Sequence, residues 1–388
     1  MRLACLDGMR GVFSLSVVIF HIFYIFLPAA ITGDPGTMHL AGRVEHILSR
    51  LPQFLYNGNC GVCVFFVLSG FVLAYRFWPE RKTSILRSAA LRRYFRLTIP
   101  AFASIFLAYL LLKAGWMRSQ EVFQVAHSFP LIGEIYRLPA DFVRVLREGL
   151  WGIYFGYDQP HSYNPVLWTM EVELKGSFLS FAFLSLFGTT RRRWFVYPVL
   201  VLLFWNTYYL SFVLGVALSD LACSSEGSAL WQRLEGQKWL SWVSLGMGIL
   251  LSSYTADGRH RVYRWLNFPF YGEMQVDTEA LYHIMGAAFL IYAVLQESHL
   301  RRMLEGKFLV WTGKYSFALY LVHIPVICSL GGAVFLHFLR HGYSYGEGVF
   351  LASLSCAPVI AFLSWTMHRY VERAGNALSG KVQKWMMG

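Results

Sequence analysis

The stretch LDGMRGVFSLSVVIFH, Leu6 to His21, opens on charges and runs into an apolar segment that continues to about Ile31. Asp7 and Arg10 stand at its head, three residues apart, a spacing at which side chains on a helix meet. Arg10 and His21 are eleven positions apart. At about 100° per residue they share one helical face, roughly 16 Å apart along the axis. Ser14 falls on the same stripe. An imidazole inside a membrane helix is costly to keep, so it asks for a function or for a hydrogen-bonded neighbour on another helix. His21 alone admits both readings. The aligned Arg10 and Asp7 favour function.

The chain has 388 residues, of which 56% are hydrophobic and only 14% charged. Soluble domains carry about 25% charged residues. The composition therefore reads as an all-α, polytopic integral membrane protein, with residues 1–388 forming one membrane domain. A net charge of +12 raises the question of nucleic acid, but the basic residues gather at segment ends, as membrane flanks do. No basic and aromatic module stands apart from the spans, so no nucleic-acid partner is expected. Cys60 and Cys63 form a single C-x-x-C at the mouth of an apolar segment, with no second pair. They read as small buried hydrophobes, and neither a metal nor a disulfide framework is expected. The first apolar segment lacks a small-residue cleavage site followed by a soluble domain, and reads as a retained span.

Ten apolar segments follow from the pattern: about 11–31, 60–77, 97–114, 167–187, 194–205, 207–222, 239–254, 281–295, 308–332 and 349–371. The fifth and sixth are short for a bilayer that needs about 20 residues; whether both span stays open. With both termini in the cytoplasm, 22 of the 34 Lys and Arg fall in cytoplasmic loops and 11 on the other side, the bias expected of such a topology. Two outer loops are long. Residues 116–166 contain an amphipathic helix candidate, with Phe142, Val145, Leu146, Gly149, Leu150 and Ile153 on one face and Arg144, Arg147 and Glu148 opposite. It reads either as a roof over a cavity or as a membrane-surface spacer. Residues 255–280, with Asp257, Arg259, His260 and Glu273 among their charges, read as a solvated loop.

Three further constellations carry chemistry. Arg92, Arg93 and Arg96 sit at helical spacings that let them face one way before Pro100. Arginine forks grip phosphates, and the same cluster also suits anchoring to anionic lipid. In NPVLWTMEVELKGSF, Glu171 and Lys175 are at i, i+4, while Glu173 points elsewhere and needs a partner on another helix. That partner decides between a proton-transfer role and a structural ion pair. His323 precedes Pro325 in the ninth segment, a second imidazole inside the membrane beside a helix bend. Ser69 and Gly70 allow close helix approach; without G-x-S-x-G spacing, Ser69 does not read as a nucleophile.

In order, these motifs resemble the membrane acyltransferase-3 family: LDGMRG with Arg10 and His21; FFVLSGF at residues 65–71; Arg93-Tyr-Phe-Arg96; LWTMEVE with Trp168 and Glu173; Tyr320 to Pro325; and Val371 to Arg373. The resemblance covers nearly the whole chain, and WTMEVELKGSF is similar to fungal members. There are departures. Cys63 stands where many members have an acidic residue, Glu171 stands where many have a small one, and very little sequence precedes Leu6.

The resemblance implies transfer of an acyl group, commonly acetyl, from acyl-CoA to a hydroxyl of a carbohydrate, lipid or small metabolite. No cofactor is expected to stay bound; acyl-CoA is a co-substrate, and the lipid bilayer is the solvent. It implies CoA phosphates on Arg93 and Arg96 with Arg92 nearby, and His21 as general base. Arg10 and Asp7 would fix the start of the first helix and contact CoA. Glu173 or His323 would orient His21 or carry its proton away, with Ser69, Trp168 and Tyr320 supporting. An acyl-histidine relay is the variant mechanism. A different class of reading is a proton-coupled transporter with His21, Glu173 and His323 as its relay; it leaves the arginine cluster unexplained and calls for an internal repeat that the sequence lacks. Neither the acceptor nor the organelle, endomembrane or plasma membrane, is written in the sequence.

Overall fold

Backbone amides find no water in hydrocarbon, so an apolar run in a bilayer closes its hydrogen bonds within itself as a helix. The computed structural model describes residues 3–256, 261–266 and 277–387, and among them there is no strand. The first expected segment runs past the end of its helix at Phe26 and the ninth begins on a separate helix, Lys307–Lys314, but each of the ten overlaps a helix. These are α1 Ala4–Phe26, α2 Gly58–Tyr75, α3 Thr83–Lys113, α4 Trp168–Phe187, α5 Val196–Phe204, α6 Tyr209–Cys223, α7 Lys238–Ser252, α8 Thr278–Gln296, α9 Ser316–Arg340 and α10 Tyr345–Met386. Among the described residues, α1, α2, α3, α8, α9 and α10 are long and apolar enough to cross a bilayer. The other four fall short for physical reasons. The 20 residues of α4 include Glu171, Glu173 and Lys175, while α5, α6 and α7 hold only 9, 15 and 15 residues. The chain is an all-α, multi-pass membrane protein. Asp257, Arg259, His260 and Glu273, read as part of a solvated loop, lie outside the described residues.

Contacts group the chain into two compact units, each drawn from three separate stretches. The first comprises Met1–Ser16, Pro52–Arg93 and Val172–Lys314. Here α2 packs against α6 and α8, and α7 against α8. Small residues set these distances, as they do where lipid offers no hydrophobic drive between helices. A Cβ on Gly70 would stand 2.9 Å from the Cα of Phe212, and one on Gly215 would overlap the carbonyl oxygen of Val67. The glycines of LDGMRG have the same cause: side chains on Gly8 and Gly11 would strike the carbonyls of Leu304 and Leu309. Cys60 and Cys63 are fully buried, unpaired thiols in this core.

One charged cluster in this unit departs from the simple reading of basic loops as membrane flanks. Arg193 is fully buried and forks onto Asp220, at 2.7 and 2.8 Å. It also donates to Glu226 at 3.0 Å and lies 4.9 Å from the Trp78 ring centroid. Arg81 pairs with Glu226 as well. A buried guanidinium needs such partners, because an unpaired charge there would be prohibitive.

The second unit comprises Val17–Leu51, Tyr94–Glu171 and Tyr315–Gly388. Its centre is α9 packed on α10. Pro325 sits inside α9, and a π turn at Ile327–Gly331 follows it. Proline has no N–H, so the carbonyl four residues earlier, on Leu321, loses its helical donor. The side-chain amide of Asn164 replaces it, at 2.8 Å. The amphipathic segment also lies here, as three consecutive helical pieces, Phe142–Arg147, Glu148–Gly152 and Ile153–Phe155. Val145, Gly149 and Ile153 are buried, Phe142, Leu146 and Leu150 are exposed, and Arg144, Arg147 and Glu148 line a cavity. The single apolar stripe read from the sequence is thus divided between protein and surroundings, which suits a helix lying in a membrane interface.

Candidate active site

In the second unit, α1 and α9 bring two imidazoles together. His323 Nε2 lies 3.1 Å from His21 Nδ1, with ring centroids 4.8 Å apart. His323 is fully buried, while His21 is partly exposed. Their protons can be placed from the acceptors around them. His21 Nδ1 is 2.8 Å from the Val17 carbonyl oxygen, and His323 Nδ1 is 2.7 Å from that of Tyr320. Carbonyl oxygens only accept, so in the neutral rings each Nδ1 carries the hydrogen. His323 Nε2 is then a lone pair, the one hydrogen on His21 Nδ1 is shared between it and the Val17 carbonyl, and His21 Nε2 is the lone pair left for chemistry.

Tyr320, one turn before His323, is buried and donates to the Val166 carbonyl. Its hydroxyl also lies 3.0 Å from Thr169 Oγ1. Thr169 follows Trp168, the half-buried first residue of α4. Asn164 meets Ser104 Oγ at 3.1 Å as well as Leu321. The segment from Asn164 to Thr169 is therefore stitched to the helix that carries His323. Neither Asn164 nor Thr169 stood out in the sequence. The signal for Asn164 is indirect: Pro325 announces an orphan carbonyl at Leu321 without saying what fills it.

In the first unit, Glu173 finds its partner. Arg93 forms an ion pair with the Glu173 carboxylate, with side chains only 11% and 13% exposed, and Ser69 Oγ donates to the same oxygen at 2.6 Å. Of the two groups expected to orient His21, the structure brings His323 to it; Glu173 is held by Arg93 and Ser69. Opposite charge explains the difference, since a buried carboxylate is drawn to the nearest guanidinium. Arg93 keeps one donor open, for its buried Nε–H has no partner among the described residues. The three arginines do not share one environment: Arg93 is drawn in, Arg92 is half-buried and Arg96 is exposed. Asp7 and Arg10 pair at 3.8 Å, also in this unit.

Both clusters lie within the residues matched by a known family. The family model described as an acyltransferase domain matches residues 3–369. Acyltransferase R4 of a Phoma species is 23% identical, with 96% of this chain and 94% of that protein covered. O-acetyltransferase PaAT-1 of Phomopsis amygdali is 25% identical over 98% of this chain and 83% of its own. Acyltransferase clz18 of Cochliobolus lunatus is 22% identical over 86% and 84%. No solved structure matches the chain.

Proposed function

The chain belongs to the acyltransferase-3 family and is an acyltransferase, and from that premise we propose that it is an O-acetyltransferase with acetyl-CoA as donor and His21 as general base. The observation that carries this reading is the contact between His323 Nε2 and His21 Nδ1. It gives His21 an oriented ring with a lone pair on Nε2, the requirement for a base that removes a proton from an attacking hydroxyl.

The reaction balances without an oxidant, a metal or a bound cofactor. The acceptor hydroxyl oxygen attacks the thioester carbonyl as His21 Nε2 takes its proton. The new C–O bond forms, the C–S bond breaks, and the CoA thiolate takes the proton from His21. While His21 is charged, its Nδ1–H is held between the Val17 carbonyl and a neutral acceptor on His323. Arg93, Arg92 and Arg96 supply positive charge for the CoA phosphates, with the open Nε–H of Arg93 as the donor that Glu173 leaves free. Glu173 and Ser69 are positioning residues in this scheme, since they hold Arg93. An acyl-histidine intermediate on His21 Nε2 is the variant that uses the same geometry.

The transporter alternative shares the contact of His21 with His323, but its third member, Glu173, is engaged by Arg93 and Ser69. The acceptor class expected is a hydroxylated small molecule, lipid or glycan, and the protein acts as an integral component of a bilayer. Purified protein in nanodiscs, incubated with radiolabelled acetyl-CoA and a panel of hydroxylated acceptors, tests the proposal. Label appearing in an acceptor supports it; hydroxyl acceptors that stay unlabelled while solute crosses the bilayer overturn it.

A further inference from the structure

The polar side of the interfacial segment lines an open cavity of about 500 Å³ within the second unit. That volume lies in the range of small-molecule sites. Its charged lining is Asp141, Arg144, Arg147, Glu148, Asp158 and His161, with Tyr157 and Ser162 between them.

Part of this polarity is already spent on structure. Glu148 accepts from Ser162 Oγ at 2.6 Å and from the Tyr163 N–H at 3.0 Å. Arg144 donates to the His161 carbonyl. One oxygen of Asp141 caps the helix through Val143 N, and one oxygen of Asp158 meets His161 Nδ1 at 2.9 Å. What stays open is the Arg147 guanidinium and the second oxygen of each aspartate, which no group among the described residues engages.

This remainder discriminates between ligand classes. An anion would meet three carboxylates, and a cation two guanidinium groups. A neutral hydroxyl both donates and accepts, so a polyhydroxylated group satisfies the aspartate oxygens and the arginine at once. Beside the cavity the same segment exposes Phe142, Leu146 and Leu150, an apolar face that an alkyl or polycyclic body can follow. The cavity also reaches the chemistry through hydrogen bonds. Tyr157 Oη donates to the Asn164 carbonyl at 2.8 Å, and Asn164 Nδ2 bonds Leu321, two residues before His323.

We propose that this cavity binds the neutral, polyhydroxylated head of an amphiphilic acceptor, with Arg147, Asp141 and Asp158 as its recognition groups. The inference rests on the acetyltransferase reading for the word acceptor, but the site itself is testable without catalysis. Full-length protein in nanodiscs is titrated with tritiated octyl glucoside below its micelle concentration, with unlabelled octyl glucoside as competitor and octyl phosphate as the charged comparison. The expected result is saturable binding, weakened tenfold or more by Arg147→Met and by Asp158→Ala. Both substituted side chains are exposed, so the fold tolerates the changes. No saturable binding, or octyl phosphate binding more tightly than the glucoside, overturns the proposal. Intact binding with no label transfer from acetyl-CoA would remove the reaction and leave the site. Transfer that octyl glucoside neither receives nor inhibits would remove the site and leave the reaction.

Discussion

His323 Nε2 faces His21 Nδ1 at 3.1 Å, and the carbonyls of Val17 and Tyr320 place a hydrogen on each Nδ1. His323 therefore accepts where a carboxylate accepts in more familiar triads, and it does so from inside the membrane domain. In the proposed mechanism, replacing it removes one of the two acceptors that hold the His21 ring and its charge during proton transfer. His323→Ala is expected to lower kcat on the order of 10- to 1000-fold and to leave KM for acetyl-CoA within a factor of about two. Steady-state kinetics in nanodiscs measures both. An unchanged kcat would make His323 a packing residue.

Arg93 has two candidate duties, pairing with Glu173 and docking CoA. A charge swap separates them. Arg93→Glu alone should weaken acetyl-CoA binding by about tenfold or more, since a charge-assisted contact is lost. Arg93→Glu with Glu173→Arg restores an ion pair but moves the guanidinium to another helix. Equilibrium binding of labelled acetyl-CoA is expected to stay weak in the swap. Full recovery would reduce Arg93 to a structural partner of Glu173.

Asn164 fills the carbonyl that Pro325 orphans. Asn164→Ala leaves the Leu321 oxygen buried without a donor, at a cost of about 1–3 kcal/mol. Thermal unfolding in detergent should show a lowered midpoint. Adding Pro325→Ala returns a backbone N–H to Leu321 and should recover part of the loss. A midpoint equal to wild type in Asn164→Ala would exclude this pairing as a source of stability.

Arg193→Met strands the fully buried Asp220 carboxylate. Breaking such a pair from one side costs about 3–5 kcal/mol. The double variant Arg193→Met with Asp220→Leu removes both charges and is expected to be the milder of the two. Thermal unfolding of both variants checks the order, and a double variant less stable than the single one contradicts it.

The helices were legible because hydrocarbon leaves an apolar run few alternatives: each of the ten apolar segments overlaps a helix, though the breaks at Leu27 and Tyr315 were not legible. The motif glycines were legible as small residues but not as to what they meet, since Leu304 and Leu309 lie nearly 300 positions from Gly8 and Gly11. The same limit applies to the site. Helical spacing aligned Arg10, Ser14 and His21, and an intramembrane Glu173 plainly needed a partner. Which partner each found is a long-range matter: Glu173 took Arg93, and His21 took His323. Arg193 was misleading for another reason. A basic triplet at a segment end obeys the topology rule whether or not one member turns inward, and only Asp220 in three dimensions shows that it does.

The central claim is that His21 removes the acceptor proton. The direct measurement is the initial rate of label transfer from radiolabelled acetyl-CoA to an acceptor hydroxyl, for wild type and His21→Ala matched for insertion and acetyl-CoA binding. His21→Ala is expected to lose about 10²- to 10⁴-fold with donor binding unchanged. Equal rates for the two proteins would contradict it.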